Sequence, residues 1–171
     1  MVTRQSDRYA TDMYRLKFDK RSDARRHWDL PDRIFFACGA CHILAYSFLE
    51  RYASAALKAV WIRPATGFTG NHIFVSAEDW VFDYHGYSRR EHFLAHTHGK
   101  ASRWWPGWQA TLIELPPDVL ISEPKSKTYD GLWLREPEQF PYDALPRARA
   151  FLNRFPAPTV FLICEGPTCR H

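Results

Sequence analysis

The stretch NHIFVSAEDWVFDYHGY, residues 71–87, constrains the fold more than any other part of this chain. Two strand-forming runs, 72–75 (HIFV) and 80–84 (WVFDY), flank the turn-forming SAED. A two-residue loop at Ala77-Glu78 and a four-residue loop at 76–79 share one centre of symmetry, so paired residues sum to 155. His72 then lies directly opposite Asp83, with Phe74 and Val81 on the same face. Ile73 with Phe82 and Val75 with Trp80 form the other face. A three-residue loop would break this register. Both faces are apolar, so the hairpin demands cover on both sides, and the His–Asp pair is set in a largely buried sheet. Directly opposed residues have Cβ atoms about 4.5–5.5 Å apart, close enough for a carboxylate to fix the orientation and tautomer of an imidazole.

The rest of the chain supplies partners for that hairpin. Residues 59–63 (AVWIR), 111–115 (TLIEL) and 159–164 (TVFLIC) read as further strands. Residues 40–52 read as a helix, because Cys41, Leu44, Ala45, Phe48 and Leu49 recur at three- and four-residue spacing behind a turn at Gly39. Residues 88–96 suggest a short helix, RWWPGW at 103–108 a turn set in aromatics, and 143–155 a helix with Asp143 near its cap. A helix followed by several strands with short connections argues for an α+β fold with a largely antiparallel sheet. The expectation is a single domain over 1–171, with 1–26 as a polar, basic N-terminal arm.

That arm carries eight Lys/Arg against four Asp, which accounts for the whole formal charge of +4. Its acids are interleaved with its bases and no nucleic-acid-binding motif follows, so a solvated arm is expected and nucleic acid is not an expected partner. No apolar run approaches the roughly 20 residues needed to span a bilayer, so no membrane partner is expected. No apolar segment at the N-terminus resembles a secretory signal. The expected compartment is cytoplasmic, with reduced thiols, or export without a cleavable signal peptide.

Residues 34–46, IFFACGACHILAY, allow four chemistries. Cys38 and Cys41 could be a redox pair on a thioredoxin-like turn. Cys-x-x-Cys-His matches haem attachment. With Cys164 and Cys169 the pair could hold zinc. Or Cys41 alone could be a nucleophile at a helix start. The redox reading needs a βα unit upstream, where the chain is polar. The haem reading expects export to an oxidising compartment, and the zinc reading has a loosely spaced second pair. The nucleophile reading uses the His72–Asp83 pair. A helix N-terminus and an adjacent imidazolium both favour the thiolate, and the carboxylate orients the imidazole. His92, His96 and His98 lack an acidic partner at ligand spacing and read as surface residues, so no metal is expected. Trp104, Trp105 and Trp108 could line a groove but read as core cover. Cys38 reads as a small buried residue beside the site.

Gly39-Ala40-Cys41 resembles the G-x-C of the transglutaminase-like core, a member of the wider papain-like thiol superfamily, and Ala45 its small residue one turn on. Phe48-Leu49-Glu50-Arg51 resembles the end of that helix and Ala59-Val60-Trp61-Ile62 the strand after it. His72-Ile73-Phe74-Val75 resembles the strand led by the catalytic His, and Trp80-Val81-Phe82-Asp83 the strand ending in the catalytic Asp. His42 departs from the aromatic residue that papain-type enzymes carry after the nucleophile. The interval of 31 from Cys41 to His72 is far shorter than papain's, which favours a compact core. The resemblance implies a thiol enzyme acting on an amide or related acyl bond, with a protein or peptide as substrate and a protein-modifying role within reach. Cys41 would be the nucleophile, His72 the base and Asp83 its orienting group, with a thioester intermediate and no cofactor. Two rival classes stand beside it: a thiol–disulfide oxidoreductase using Cys38 and Cys41, and a non-catalytic binding module on the same fold.

Overall fold

The computed structural model describes residues 24–158. Three helices come first: α1 (Ala24–Trp28), α2 (Asp32–Ala37) and α3 (Cys41–Arg51). Strands β1 (Lys58–Pro64), β2 (His72–Ser76), β3 (Trp80–Asp83) and β4 (Gly86–Arg89) follow, then α4 (Arg90–Trp104) and β5 (Ala110–Leu115). Short helix α5 (Glu123–Ser126) and helix α6 (Ala144–Leu152) lie beyond, with 3-10 turns at Pro117–Val119 and Pro137–Gln139. The fold is mixed α+β, built on one open antiparallel sheet with strand order β4-β3-β2-β1-β5.

The sheet is covered on both faces, as its alternation of apolar residues requires. Ala59, Trp61, Ile73, Val75, Trp80 and Phe82 face α3 and α6, whose Phe48, Phe151 and Leu152 complete one core. Val60, Ile62, Phe74 and Val81 face α4, whose Phe93 and Ala101 join Trp108 in the second. Phe48 stacks on Phe82 with ring centroids 4.4 Å apart, which fixes α3 across the middle of the sheet. Truncating such a buried Phe to Ala costs about 3–5 kcal/mol. On α4, Phe93, Thr97 and Ala101 are buried at four-residue spacing, a narrow stripe against one sheet face.

Several sequence expectations need correction. The β2–β3 register pairs Val75 with Phe82 and Ser76 with Val81, a sum of 157 instead of 155. The Ala77 N–H donates to the Trp80 carbonyl at 2.9 Å, so the turn centres on Glu78-Asp79. The Asp79 carbonyl in turn accepts from the Arg90 N–H at 2.9 Å, which ties the turn to the start of α4, an element that local turn preference does not reveal. The slip is two residues. Because side chains alternate with period two, every residue keeps its face, but His72 and Asp83 become diagonal neighbours instead of directly opposed ones. Ser88 and Arg89 belong to β4, not to a helix, and α4 runs on to Trp104 through Gly99. Asp143 does cap α6, its carboxylate accepting from the Leu145 N–H at 2.9 Å, though the helix ends at Leu152. Residues 1–23, the strand expected at 159–164, and Cys164 and Cys169 lie outside the described residues. Among the described residues no helix is long and apolar enough to cross a membrane.

Candidate active site

The site begins with a turn that could not carry a side chain in the middle. Cys38 ends α2, and Gly39 at φ +136 swings the chain into α3. The His27 ring closes over this turn. Its Nε2–H donates to the Cys38 carbonyl at 2.8 Å, and a Cβ on Gly39 would sit 3.4 Å from that nitrogen. Cys41 is therefore delivered as the first residue of α3. The helix has no side-chain cap, and the Ala40 carbonyl accepts from Ile43 and Leu44. The first-turn N–H groups lack intrahelical partners, so the Cys41 thiol sits at the positive end of the helix, beside its own N–H.

His72 opens β2 and Asp83 closes β3, so antiparallel pairing brings both to one end of the sheet. The His72 Nε2 lies 3.1 Å from the Asp83 Oδ2. Strand alternation sets His72 with Phe74 on the α4 face, while α3 packs on the opposite face. The His72 ring nevertheless reaches the Cys41 thiol, with which it is in hydrogen-bond contact, because all three residues lie where the sheet ends. With Nε2 committed to Asp83, Nδ1 is left for the sulfur. The ring is held between Tyr84 at 5.4 Å and Phe93 at 6.2 Å.

Asp83 is aimed by its own hairpin. The sequence Asp83-Tyr84-His85-Gly86 makes a tight turn in which the Asp83 Oδ1 accepts from the His85 N–H at 2.8 Å, the usual habit of Asp at a turn. Gly86 follows at φ +100, pressed so close to Phe155 that a Cβ would come within 2.8 Å of its ring. The His85 Nδ1 lies 3.3 Å from the same Oδ1, and its Nε2 is buried with no hydrogen-bond partner among the described residues.

Each group titrates as this setting dictates. Burial works against a thiolate at Cys41, but hydrogen bonds from His42 and His72, and their positive charge, bring its pKa down to about 5. Burial likewise works against an imidazolium at His72, yet Asp83 and Cys41 push its pKa up to about 10. Burial would raise the Asp83 carboxyl; the bonds from His72 and His85 hold it far below the usual carboxylate range instead. Thiol and imidazole therefore form a coupled ion pair that spans the neutral range.

The three residues read from the sequence as a site, Cys41, His72 and Asp83, thus come together. Three further histidines join them. His27 fixes the turn, His85 holds Asp83, and His42 touches the Cys41 thiol while its Nε2–H donates to the Arg135 carbonyl at 2.9 Å. Their partners are backbone carbonyls and turn atoms, for which sequence carries little signal. His92, paired with Glu91 at 3.5 Å, and His98 are exposed on α4, and His96 is half-buried there; none joins the site. Among the described residues no group of three His, Cys, Asp or Glu side chains is placed to hold a metal ion. Trp108 is buried in the second core and donates to the Thr69 carbonyl at 2.8 Å, with Trp105 packed against it. Cys38 and Cys41 are both free thiols, half-buried, and the segment that precedes them is a helix instead of the strand a thioredoxin-like unit requires.

No family model matches this chain, and no significant match to it is found among curated proteins or solved structures.

Proposed function

We propose that this chain is a thiol-dependent acyl-transfer enzyme with a transglutaminase-like, papain-like core, acting on an amide or related acyl bond of a protein or peptide. One observation carries the reading. A single imidazole, that of His72, is in hydrogen-bond contact with the Cys41 thiol and meets a buried carboxylate, Asp83 Oδ2, at 3.1 Å through Nε2. The core assignment draws support from the same layout: the nucleophile begins a helix packed on an antiparallel sheet, with His at the head of one strand and Asp at the foot of the next.

In this reading Cys41 Sγ attacks the carbonyl as the thiolate and the Cys41 N–H steadies the oxyanion. The imidazolium of His72 then gives its proton to the departing amine, leaving a thioester on Cys41. Water or an amine attacks the thioester and returns its proton to His72, and the sulfur leaves as thiolate. Asp83 keeps Nε2 protonated and Nδ1 facing the sulfur throughout.

A peptidyl acyloxymethyl ketone, which alkylates activated thiols, tests the proposal by mass spectrometry of the intact and digested chain. One adduct on Cys41 is expected, unchanged in Cys38→Ala and slowed in His72→Ala. Equal labelling of both cysteines, or protection of both by a reducible Cys38–Cys41 bond, would sink it in favour of redox chemistry.

A further inference from the structure

Four imidazoles lie at the site, those of His27, His42, His72 and His85, and only that of His72 has a role in the mechanism above. His42 is placed to have another. Its ring is 2% exposed, lies stacked on Phe140 at 6.3 Å, and is in hydrogen-bond contact with the Cys41 thiol. Its Nε2 meets a carbonyl oxygen, that of Arg135, at 2.9 Å. A carbonyl only accepts, so Nε2 carries the hydrogen and the neutral ring presents Nδ1 as a bare base. His72 likewise keeps a hydrogen on Nε2, held there by the Asp83 carboxylate. One thiol therefore faces two imidazoles whose Nε2 hydrogens are both committed elsewhere.

We propose, resting on the reading of Cys41 as nucleophile, that His42 is a second catalytic base on its thiol and shares the thiol proton with His72. The proton leaves Sγ for Nδ1 of either ring, and no other bond changes. The two destinations differ in what lies behind them. Behind His72 stands a full negative charge, behind His42 only a carbonyl dipole, so the first proton settles on His72. His42 then stabilises the thiolate whenever it carries a proton of its own, through a charge-assisted N–H···S bond. The titratable groups facing the sulfur are His42 on α3 and His72 on β2, with Asp83 on β3 behind His72 and His85 behind Asp83. The Arg135 guanidinium lies 5.8 Å over the Phe140 ring that backs His42.

Carbamidomethylation of Cys41 by iodoacetamide, mapped by mass spectrometry from pH 4 to 10 on the full chain, tests this. In the parent the rate should fall as pH drops through about 5. A hydrogen-bonding partner of an ionising group moves its titration, so with His42 gone the thiol should ionise at higher pH and His42→Phe should slow the reaction at pH 6 about tenfold or more. His72→Ala should keep a limb below the ordinary thiol range near about 8.5, and only the double variant should reach it. A His42→Phe profile that superposes on the parent, with His72→Ala equal to the double variant, overturns the proposal and leaves the triad standing. A parent limb already near the ordinary thiol value overturns the nucleophile reading itself. Should His42→Phe fail to fold, the native protein still decides. Alkylating Cys41 should shift the Nδ1 resonances of both His42 and His72 in a long-range 15N spectrum, and a shift confined to His72 refutes the second base.

Discussion

Asp83 has each carboxylate oxygen engaged by a different part of the molecule: Oδ1 by its own turn, Oδ2 by the His72 ring. Replacing it by Asn should preserve the turn, since the side-chain oxygen still accepts from the His85 N–H, while removing the charge behind the imidazolium. The sign is set by His72. Its imidazolium is lost as pH rises through about 10, and the Cys41 thiolate is lost as pH falls through about 5, so the parent's rate should be bell-shaped between those limits. Asp83→Asn should move the alkaline limb down by about one to three units and lower activity less than His72→Ala, which leaves no carboxylate-backed base. Cys41→Ser should abolish turnover and Cys38→Ala leave most of it, as measured on a peptide amide substrate. These residues were legible because the chemistry demands their types in a recognisable order. His42 was visible only as a departure from the expected aromatic. Its anchor, the Arg135 carbonyl, lies 93 positions away and is a backbone atom, so nothing in the local sequence could name it.

At the scale of elements, the turn between α2 and α3 sets Cys41, the proposed nucleophile. Gly39→Ala would force a side chain onto φ +136 and against the His27 ring. Such strain costs about 1–2 kcal/mol. The loss should appear as a lower urea midpoint, and Cys41 labelling should fall further than stability does, because the turn aims the thiol. A variant that keeps parental labelling would show that α3 is held by its core face alone. The elements legible in advance were those with strong periodicity, α3, β1, β2, β3 and β5, and α6, marked by its Asp143 cap. Strand β4 was missed because Gly-Tyr-Ser-Arg has only one apolar side chain facing the core, Tyr87. Helix α4 was cut short because its buried stripe is one residue wide and Gly99 interrupts it. The hairpin register slipped because the contact that fixes the turn, Arg90 N–H to the Asp79 carbonyl, comes from an element beyond the hairpin. Pattern reads faces well and registers poorly, since a slip of two leaves the pattern unchanged.

Across the whole molecule, α6 is the clamp that holds the nucleophile's helices to the rest. Arg147 donates to Asp32 at 2.9 Å and to the Leu30 carbonyl at 2.6 Å, and its guanidinium lies 4.1 Å over the Phe35 ring. Arg149 grips Glu50 of α3 with two nitrogens at about 3 Å, while the Arg51 guanidinium donates to the Arg149 carbonyl at 3.0 Å. Arg147→Leu strips charge-assisted bonds from half-buried acceptors and should cost about 2–4 kcal/mol, read by chemical denaturation. That the sheet would be covered on both faces followed from its apolar residues. Which helix covers which face did not, because that depends on contacts a hundred positions apart. The three residues of the proposed triad, by contrast, all fall within 42 positions, from Cys41 to Asp83. Synthesis runs from one end of the chain to the other, at roughly 5–20 residues per second. The Arg135 carbonyl that anchors His42 is made 52 residues after Asp83, and α6 begins 61 residues after it. For roughly 3–12 s a chain still on the ribosome owns its thiol, its first imidazole and its carboxylate, but not the clamp that seats them.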